Sequence, residues 1–340
     1  MKKNTIVIAE VGVNHNGNMN LAKKLISEAA ISGADFVKFQ TFKADTLVLK
    51  TAKKAAYQTK NIGSNISQFE MLKQLEISES DQLELKAYSK EKGIAFLSSA
   101  FDIKGLDYLN SLDLPLIKIP SGEITNLPYL QKVASIGKPV ILSTGMANMT
   151  EIKKALSVII SGKIKLKDVI ILHCNTEYPT PFEDVNLKAM LSIKDELATD
   201  VGYSDHTLGI ELPIAAVALG AKVIEKHFTL DRKMNGPDHL ASIEPNEFKQ
   251  MVSSIRNIEK AIAGSGIKKP SLSESKNMSI VRKSICIAKP IEAKTILTKE
   301  HLSILRPGSG ISPMEIEVVL GKKVTTALQE GHILSWSDFK

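Results

Sequence analysis

Cysteine is scarce in this sequence, since only two residues, Cys174 and Cys286, occur among 340. So few thiols exclude a disulfide framework, and a single bridge would add little to a chain of this size. We therefore predict that both cysteines are small buried hydrophobic residues.

Long apolar stretches are also missing. No run reaches the roughly 20 apolar residues of a membrane span, and the run at 5–9 is shorter than a signal-peptide core. The sequence therefore predicts no membrane association, and we expect the chain to reside in the cytoplasm.

Aromatic residues make up 5% of the chain, with a single tryptophan, although the net charge is +7. Nucleic-acid readers commonly combine clustered basic residues with aromatic stacking surfaces. Here the lysines are dispersed, so nucleic-acid binding is not predicted. The moderate positive charge instead suits small anionic substrates.

What the sequence does contain is a regular alternation of short β-branched runs with amphipathic helical patterns, which is typical of a parallel sheet with helical crossovers. Eight runs are predicted as strands, at 6–9, 36–39, 95–97, 116–119, 140–142, 169–172, 201–203 and 223–226. Eight such units favour a closed (β/α)₈ TIM barrel, whose usual size is about 250 residues. A doubly wound sheet is the alternative.

A polar segment divides the chain. Residues 1–264 carry the barrel pattern, residues 265–281 form a Gly/Ser/Lys/Pro-rich linker, and residues 282–340 show short β-like runs separated by turns. The last region is predicted to be a small β-rich domain. Within the barrel, the long connection 43–77, with a turn at Gly63-Ser64-Asn65, is predicted to cover the active face as a lid.

Polar residues follow nearly every predicted strand, where a barrel of this class collects its catalytic groups. They are Glu10, Lys38, Gln40, Ser98, Ser99, Lys118, Ser121, Glu123, Ser143, Thr144, His173, Asn175, Tyr178, Asp205, His206, Glu225 and His227. A purely structural barrel has no need of this convergence, so the pattern predicts an enzyme.

Two histidines end consecutive strands, and neighbouring strands lie about 4.8 Å apart, so both imidazoles can reach one ion. His206 and His227 are therefore predicted to bind a metal, with Asp205 and Glu225 close by. The alternative is that one or both are hydrogen-bonded histidines behind the site. Few protein ligands and several waters suit Mn²⁺, and Mg²⁺, Co²⁺ or Zn²⁺ are less favoured.

Two lysines predict an anion pocket. Lys38 and Lys118 supply fixed cations, and hydroxyls from Ser99, Ser121 and Ser143 supply short donors that match a phosphate or carboxylate. The glycine-containing segment 12–17 lacks the Lys-Ser/Thr of a P-loop, and no G-x-G-x-x-G follows the first strand. Nucleotide binding is excluded on that ground.

Over almost its whole length the sequence resembles the bacterial N-acetylneuraminate (sialic acid) synthase family, which includes legionaminate synthases. The resemblance is carried by IAEVGVNHNG at 8–17, VKFQTFKA at 37–44, KIPSGE at 118–123, LSTGM at 142–146, HCNTEYPTP at 173–181, YSDHT at 203–207, EKHFT at 225–229 and GPDH at 236–239. The run RPGSGIS at 306–312 resembles the antifreeze-like (SAF) domain of these enzymes, a small β-clip fold.

The resemblance implies a metal-dependent condensation of phosphoenolpyruvate with N-acetylmannosamine and water to give N-acetylneuraminate and phosphate. The alternative sugar is 2,4-diacetamido-2,4,6-trideoxymannose, which leads to N,N'-diacetyllegionaminate. The resemblance also implies a domain-swapped homodimer in which Arg306 of one chain reaches the partner's active site to hold the sugar's acetamido group.

The same resemblance assigns roles to residues of this sequence. Phosphoenolpyruvate is expected at Lys38, Ser99, Lys118, Ser121, Ser143 and Thr176, and the sugar at Glu10, Tyr178, Glu225, Asp238 and Arg306. His206 and His227 are the expected metal ligands, and Glu123, Glu10 and Lys118 the expected catalytic groups. The sequence departs from the family at Ser98-Ser99-Ala100-Phe101, where many members read Ser-Thr-Pro-Phe, and at Thr176, where some have Asn.

Two other functions are open on the residues alone. A Schiff-base aldolase could use Lys118 or Lys38 as its nucleophile. A carbohydrate- or ice-binding protein could use the C-terminal domain, with the barrel as a scaffold.

Overall fold

The computed structural model describes residues 4–62 and 66–340, so the predicted turn at Gly63-Ser64-Asn65 lies outside the described residues. The chain forms two compact units, Met1–Ala263 and Gly264–Lys340.

The first unit is built on a closed parallel barrel in which each strand pairs with the next and the last pairs with the first. Its strands are β1 (Ile6–Gly12), β2 (Phe36–Thr41), β3 (Ala95–Ala100), β4 (Ile117–Ile119), β5 (Val140–Ser143), β6 (Val169–Cys174), β7 (Asp200–Asp205) and β8 (Val223–His227). The predicted (β/α)₈ barrel is confirmed, and the doubly wound alternative is wrong.

Helices cover the outside of the barrel. Those of the first unit are α1 (Met19–Ile31), α2 (Ala44–Leu47), α3 (Ala56–Ile62), α4 (Gln68–Gln74), α5 (Glu79–Glu91), α6 (Ile103–Ser111), α7 (Leu127–Ile136), α8 (Met149–Ile160), α9 (Ala189–Leu197), α10 (Glu211–Ala218) and α11 (Pro245–Ala261).

Helix α11 shows why these segments fold as they do. A proline at its first turn pre-sets the backbone, and Phe248, Met251, Val252 and Ile255 recur at helical spacing on its buried face. Burial of each such side chain contributes about 1.5–3 kcal/mol. On the strands the period is two, so apolar side chains such as Val37 and Phe39 face the helices while Lys38 and Gln40 face the barrel interior.

The connection predicted as a lid is largely helical, because α2, α3 and α4 lie between β2 and α5. A small apolar cluster of Val13, Phe42, Met71 and Leu75 joins this segment to the barrel mouth. Helix α4 begins with a capping box formed by Ser67 and Glu70. The described helices of this connection thus cover one side of the barrel mouth.

The second unit has its own core of Ile285, Ile287, Leu297, Val319 and Leu334. It contains α12 (Leu272–Val281), the antiparallel pair β9 (Ser284–Ile287) and β10 (Leu302–Leu305), and α13 (Ile316–Val319). Part of the segment predicted as a linker is therefore helix α12. Among the residues that the structure describes, no helix is long and apolar enough to span a bilayer.

Candidate active site

A cavity of about 560 Å³ opens at the carboxyl ends of the barrel strands. Its lining includes twelve of the fourteen residues to which the resemblance assigned roles, namely Glu10, Lys38, Ser99, Lys118, Ser121, Ser143, Thr176, Tyr178, His206, Glu225, His227 and Asp238. Gln40 lines the cavity as well. These residues come from all eight strands or from the loops that follow them. The barrel therefore gathers into one site side chains that are far apart in the sequence.

The cavity floor holds a chain of buried charges. Lys38 Nζ lies 2.9 Å from Glu10 Oε2 and 3.5 Å from Glu225 Oε1, and Lys118 Nζ lies 3.2 Å from the same Glu225 oxygen. Two cations face two carboxylates, so the buried charges balance. Lys118 also donates to Ser143 Oγ at 2.9 Å, and Lys38 donates to Ser99 Oγ at 3.2 Å.

The charge chain sets the protonation of its members. Burial would raise the pKa of Glu225, but Lys118 and Lys38 outweigh it and hold the pKa at about 2. Burial lowers the pKa of Lys118, with Glu225 opposing that change. For Lys38, burial is outweighed by Glu10 and Glu225, which raise its pKa. An anion that enters the cavity thus meets two lysines already fixed by carboxylates.

Two strand-end residues face away from the cavity because side chains alternate along a strand. Asp205 lies 2.5 Å from Lys226 Nζ, and both side chains are fully buried. Ser98 Oγ lies 2.7 Å from Thr41 Oγ1, also outside the barrel interior. Asp205 therefore does not line the cavity with His206 and His227, although its charge still acts on the neighbouring His206. Its buried ion pair instead joins the ends of β7 and β8.

The two candidate metal ligands are close together inside the cavity. The ring centroids of His206 and His227 are 5.2 Å apart. His206 Nδ1 lies 2.5 Å from the carbonyl oxygen of Asn175, which can only accept, so the proton is on Nδ1 and Nε2 keeps its lone pair. Burial lowers the pKa of His206 to about 4 and that of His227 well below its usual value, so both rings are neutral at pH 7.

This pair fits a divalent cation. His227 Nδ1 is buried and has no hydrogen-bond partner among the described residues, which leaves a nitrogen lone pair uncompensated. Neutral imidazoles are common ligands of first-row metals. No cluster of three or more His, Cys, Asp or Glu ligands occurs in the described part of the chain. The protein would thus supply two imidazoles and leave the other coordination positions to water or substrate.

Aromatic rings lead from the histidines towards the cavity mouth. The Tyr178 ring centroid is 4.2 Å from that of His206, and the Tyr57 centroid is 5.0 Å from that of Tyr178. Tyr57 belongs to α3, so the covering segment contributes directly to the site. The sequence analysis gave Tyr57 no role, and its place in the predicted lid was the one available signal.

Asp238 lies on the loop after β8 and projects into the cavity, where burial and then Glu10 raise its pKa to about 7. Asn14 closes the base of this loop, because its amide donates to Phe228 O at 3.0 Å and to Ser242 Oγ at 2.8 Å. Ser242 in turn donates to the Asp238 carbonyl at 2.8 Å. Asn14 was not among the predicted site residues, although it stands in the segment 8–17.

Asn14→Ala should lower the free energy of unfolding by about 1–3 kcal/mol, because it removes two donors from buried acceptors. Urea denaturation measures this change. The matched control is Asn235→Ala on the same loop, where the residue is exposed and the change should stay within about 0.5 kcal/mol. Equal stability of the two variants would contradict the role given to Asn14.

Two of the residues to which the resemblance assigned roles are not in the cavity lining. Glu123 lies in the turn after β4, where its Oε2 accepts a hydrogen bond of 2.6 Å from Asn126 and burial raises its pKa. Arg306 belongs to the second unit and is exposed there.

Comparison with known proteins decides the family. The model of the NeuB family matches residues 25–268, and that of the SAF domain matches residues 282–340. The chain belongs to the NeuB family. The resemblance predicted from the sequence motifs is thereby confirmed, together with the C-terminal SAF domain.

Several NeuB-family proteins are similar to this chain. The N,N'-diacetyllegionaminic acid synthase of Campylobacter jejuni is 54% identical, over 98% of this chain and 99% of its own. The protein of the same name from Legionella pneumophila is 49% identical, over 97% and 93%. The crystal structure of the sialic acid synthetase from Leptospira borgpetersenii, in complex with citrate, has a TM-score of 0.70 and 35% identity, over 81% and 90%.

These NeuB-family relatives are synthases, so the chain is an enzyme, and the alternative of a binding protein on a barrel scaffold is wrong. The relatives support the legionaminate alternative better than the N-acetylneuraminate function first expected from the motifs. That expectation rested on motifs that the family shares whatever its sugar.

Proposed function

We propose that this enzyme condenses phosphoenolpyruvate with 2,4-diacetamido-2,4,6-trideoxymannose and water to give N,N'-diacetyllegionaminate and phosphate. The observation that carries the reaction class is the pair Lys38 and Lys118 beside two neutral, buried imidazoles. The choice of sugar is supported by identities of 54% and 49% to two legionaminic acid synthases, against 35% to a sialic acid synthetase.

Phosphoenolpyruvate would lie on the lysine side of the cavity. Lys38 and Lys118 offer charge-assisted hydrogen bonds to its phosphate and carboxylate, and Ser143, already bonded to Lys118, offers a short hydroxyl donor. Ser121 Oγ accepts a hydrogen bond of 3.0 Å from Gly145 N, which fixes its position at the rim of the same pocket. Thr176 and Ser99 line the cavity at either side.

The sugar's aldehyde would lie beside His206 and His227. A bound divalent cation, expected to be Mn²⁺, would polarise the aldehyde oxygen as a Lewis acid. The residues themselves orient the substrates, since Tyr178 packs against His206 and restricts the aldehyde to the side of the lysines. The tilted rings of Tyr57 and Tyr178, with the covering helix α3, would also limit the access of bulk water to the reacting carbons.

The bond changes then balance. Carbon 3 of phosphoenolpyruvate bonds to the aldehyde carbon, a water oxygen bonds to carbon 2, and the bond from carbon 2 to the bridging oxygen breaks, so that phosphate leaves. The water gives up both protons. One passes through a carboxylate to the aldehyde oxygen, which becomes the new hydroxyl, and the other leaves with the phosphate as carbon 2 becomes the keto carbon; the lysines stabilise the departing phosphate. A heavy-oxygen label in the bridging position should therefore appear wholly in inorganic phosphate. Label retained in the sugar acid would exclude this reaction.

Among the carboxylates that line the cavity, Glu10 is proposed to take the water proton, because burial raises its pKa and it lies against Lys38, whereas Lys118 and Lys38 hold Glu225 ionised. We expect Glu10→Gln to lower kcat by about 10²–10⁴-fold, the usual contribution of a general acid or base, with little change in affinity for phosphoenolpyruvate. Glu123→Gln is the comparison, since Glu123 is held by Asn126 outside the lining. A larger fall of kcat in Glu123→Gln would return the role to Glu123, the residue first expected from the motif.

Arg306 is proposed to act across a domain-swapped homodimer, where it would hold the sugar's acetamido group. A hydrogen bond from a charged donor contributes about 1.5–3 kcal/mol, so Arg306→Ala should weaken use of the sugar about tenfold to a hundredfold while sparing phosphoenolpyruvate affinity. Mixing Arg306→Ala with Lys118→Met tests the arrangement. We expect the mixture to be more active than either variant alone. If mass measurement confirms subunit exchange and the activity does not rise, Arg306 does not act across the dimer.

The rival mechanism is a Schiff-base aldolase that uses Lys118 or Lys38. Borohydride added with both substrates would trap such an intermediate as a stable adduct on the protein. We expect no adduct. A Schiff base needs a neutral amine, and Glu10 and Glu225 raise the pKa of Lys38; burial lowers the pKa of Lys118, so the expectation for Lys118 rests on its ion pair with Glu225.

A further inference from the structure

A second hollow of about 420 Å³ adjoins the active-site cavity. The two share the walls formed by Ala56, Tyr57, Glu177 and Tyr178, and the hollow is completed by Asn61, Pro179, Leu208 and Leu240. We call this hollow the annex. Its walls come from helix α3, from the loops after β6 and β7, and from the loop after β8 that also carries Asp238.

We propose that the annex is a specificity subsite that receives the end of the sugar farthest from the aldehyde and recognises its 4-acetamido and 6-methyl groups. This inference rests on the proposed function for the identity of the sugar. It adds which residues of this chain would contact the groups that distinguish that sugar.

The position of the annex follows from the row of rings. His206 and His227 mark the aldehyde end, the Tyr178 centroid lies 4.2 Å from His206, and Tyr57 lies 5.0 Å beyond Tyr178. A six-carbon chain that begins at the histidines and leaves the lysine side to phosphoenolpyruvate extends along these rings. Its far end arrives where the two tyrosines separate the cavity from the annex.

The chemistry of the walls favours a deoxygenated, acylated sugar. Leu208 and Leu240 are 43% and 45% exposed, and together with Pro179 they form an apolar wall that a methyl group can cover. Asn61 donates to the Pro237 carbonyl at 2.7 Å, which fixes its amide and leaves the amide oxygen to accept from an acetamido N–H.

A sugar with hydroxyl groups at carbons 4 and 6 would fit this wall poorly. Hydroxyls that face Leu208, Leu240 and Pro179 would lose water without gaining a partner there, because Glu177 and Asn61 are the hydrogen-bonding side chains at the edge of this apolar wall; a methyl group does not carry that cost. Differences of one methyl group in a hydrophobic pocket are worth about 10–200-fold in kcat/KM. The annex can therefore supply the discrimination between the two candidate sugars.

The test is the ratio of kcat/KM for 2,4-diacetamido-2,4,6-trideoxymannose to that for N-acetylmannosamine, measured in the full-length enzyme with saturating phosphoenolpyruvate. Leu208→Asn and Leu240→Asn should each lower this ratio by about tenfold or more and leave the KM for phosphoenolpyruvate unchanged. Leu208→Ala and Leu240→Ala, which only shorten the wall, should lower it less. Phe182→Asn is the matched control, because Phe182 is an exposed apolar residue close to Pro179 in the sequence but does not line the annex.

The outcomes are distinguishable. If the wild-type enzyme prefers the diacetamido sugar and the folded leucine variants keep that preference, the annex is not the specificity site although the proposed function stands. If the wild-type enzyme prefers N-acetylmannosamine, the proposed sugar fails and the inference fails with it. Proportional loss with both sugars and with phosphoenolpyruvate would indicate a general structural effect and would also overturn the proposal.

Discussion

Replacing Lys118 by methionine is expected to lower kcat/KM for phosphoenolpyruvate by about 10²–10³-fold, the usual loss when one preorganised donor to developing charge is removed. The physical reason is the position of Lys118, which is almost fully buried, lies 3.2 Å from Glu225 and donates to Ser143. Methionine preserves length and apolar bulk but removes the cation. Steady-state kinetics and calorimetric titration of phosphoenolpyruvate measure the effect.

The same substitution leaves Glu225 with Lys38 as its remaining cation, so part of the loss could come from the fold. Breaking a buried ion pair costs about 3–5 kcal/mol. The double variant Lys118→Met, Glu225→Gln removes the unpaired charge and should regain stability without regaining activity. Lys222→Met, at an exposed lysine just before β8, is the matched control. Unchanged phosphoenolpyruvate affinity in folded Lys118→Met would contradict the anion pocket.

Removing the divalent cation should abolish activity, and Mn²⁺ should restore it better than Mg²⁺ or Co²⁺. His206→Ala or His227→Ala should also abolish activity without unfolding the chain, because each substitution removes one of the two imidazoles proposed to bind the cation. The affinity for the metal, measured by calorimetry, is expected to fall by at least tenfold to a hundredfold. Substituting a residue that only hydrogen-bonds to a metal ligand already causes a loss of that size.

The control for the histidines is His173→Ala. His173 belongs to β6 at the same end of the barrel, but its Nε2 lies 2.7 Å from the Val185 carbonyl and it is not part of the cavity lining. This variant should keep the metal affinity of the wild type even if it is less stable. Full turnover after exhaustive metal removal would contradict the proposal that His206 and His227 bind a metal needed for the reaction.

The barrel could be predicted from the sequence because its signal is repeated. Eight apolar runs, each followed by polar residues, fix both the topology and the end of the barrel at which the chemistry lies. Lys38 and Lys118 could be singled out because each is a charged residue within a short apolar strand, and His206 and His227 because they follow or end one.

The sequence could not predict which way some side chains point, or which distant residues hold the site in place. Alternation along β7 and β8 puts Asp205 and Lys226 outside the barrel, and that phase becomes certain only once the register of the strands is known. The turn after β4 directs Glu123 towards Asn126, which no spacing rule predicts. Asn14 acts through contacts more than two hundred residues away, and Tyr57 reaches the site from a helix in what was expected to be a loop.

The identity of the sugar is harder to predict from the sequence, because the residues proposed to distinguish it lie far apart in the chain. The motifs that identify the family contain Lys38, Lys118, His206 and His227, to which we assign the shared reaction. Leu208 and Leu240, which we propose to meet the far end of the sugar, lie outside those motifs. They become visible as a set only when the barrel brings three loops together.

The proposed reaction can be tested directly by measuring release of inorganic phosphate from phosphoenolpyruvate with Mn²⁺ present. Separate assays would contain 2,4-diacetamido-2,4,6-trideoxymannose, N-acetylmannosamine or N-acetylmannosamine 6-phosphate, and the mass of the product would be determined in each. The account predicts phosphate release that depends on added sugar, is fastest with the diacetamido sugar, and yields equimolar N,N'-diacetyllegionaminate. Phosphate release that is indifferent to the sugar, or a preference for either N-acetylmannosamine, would contradict it.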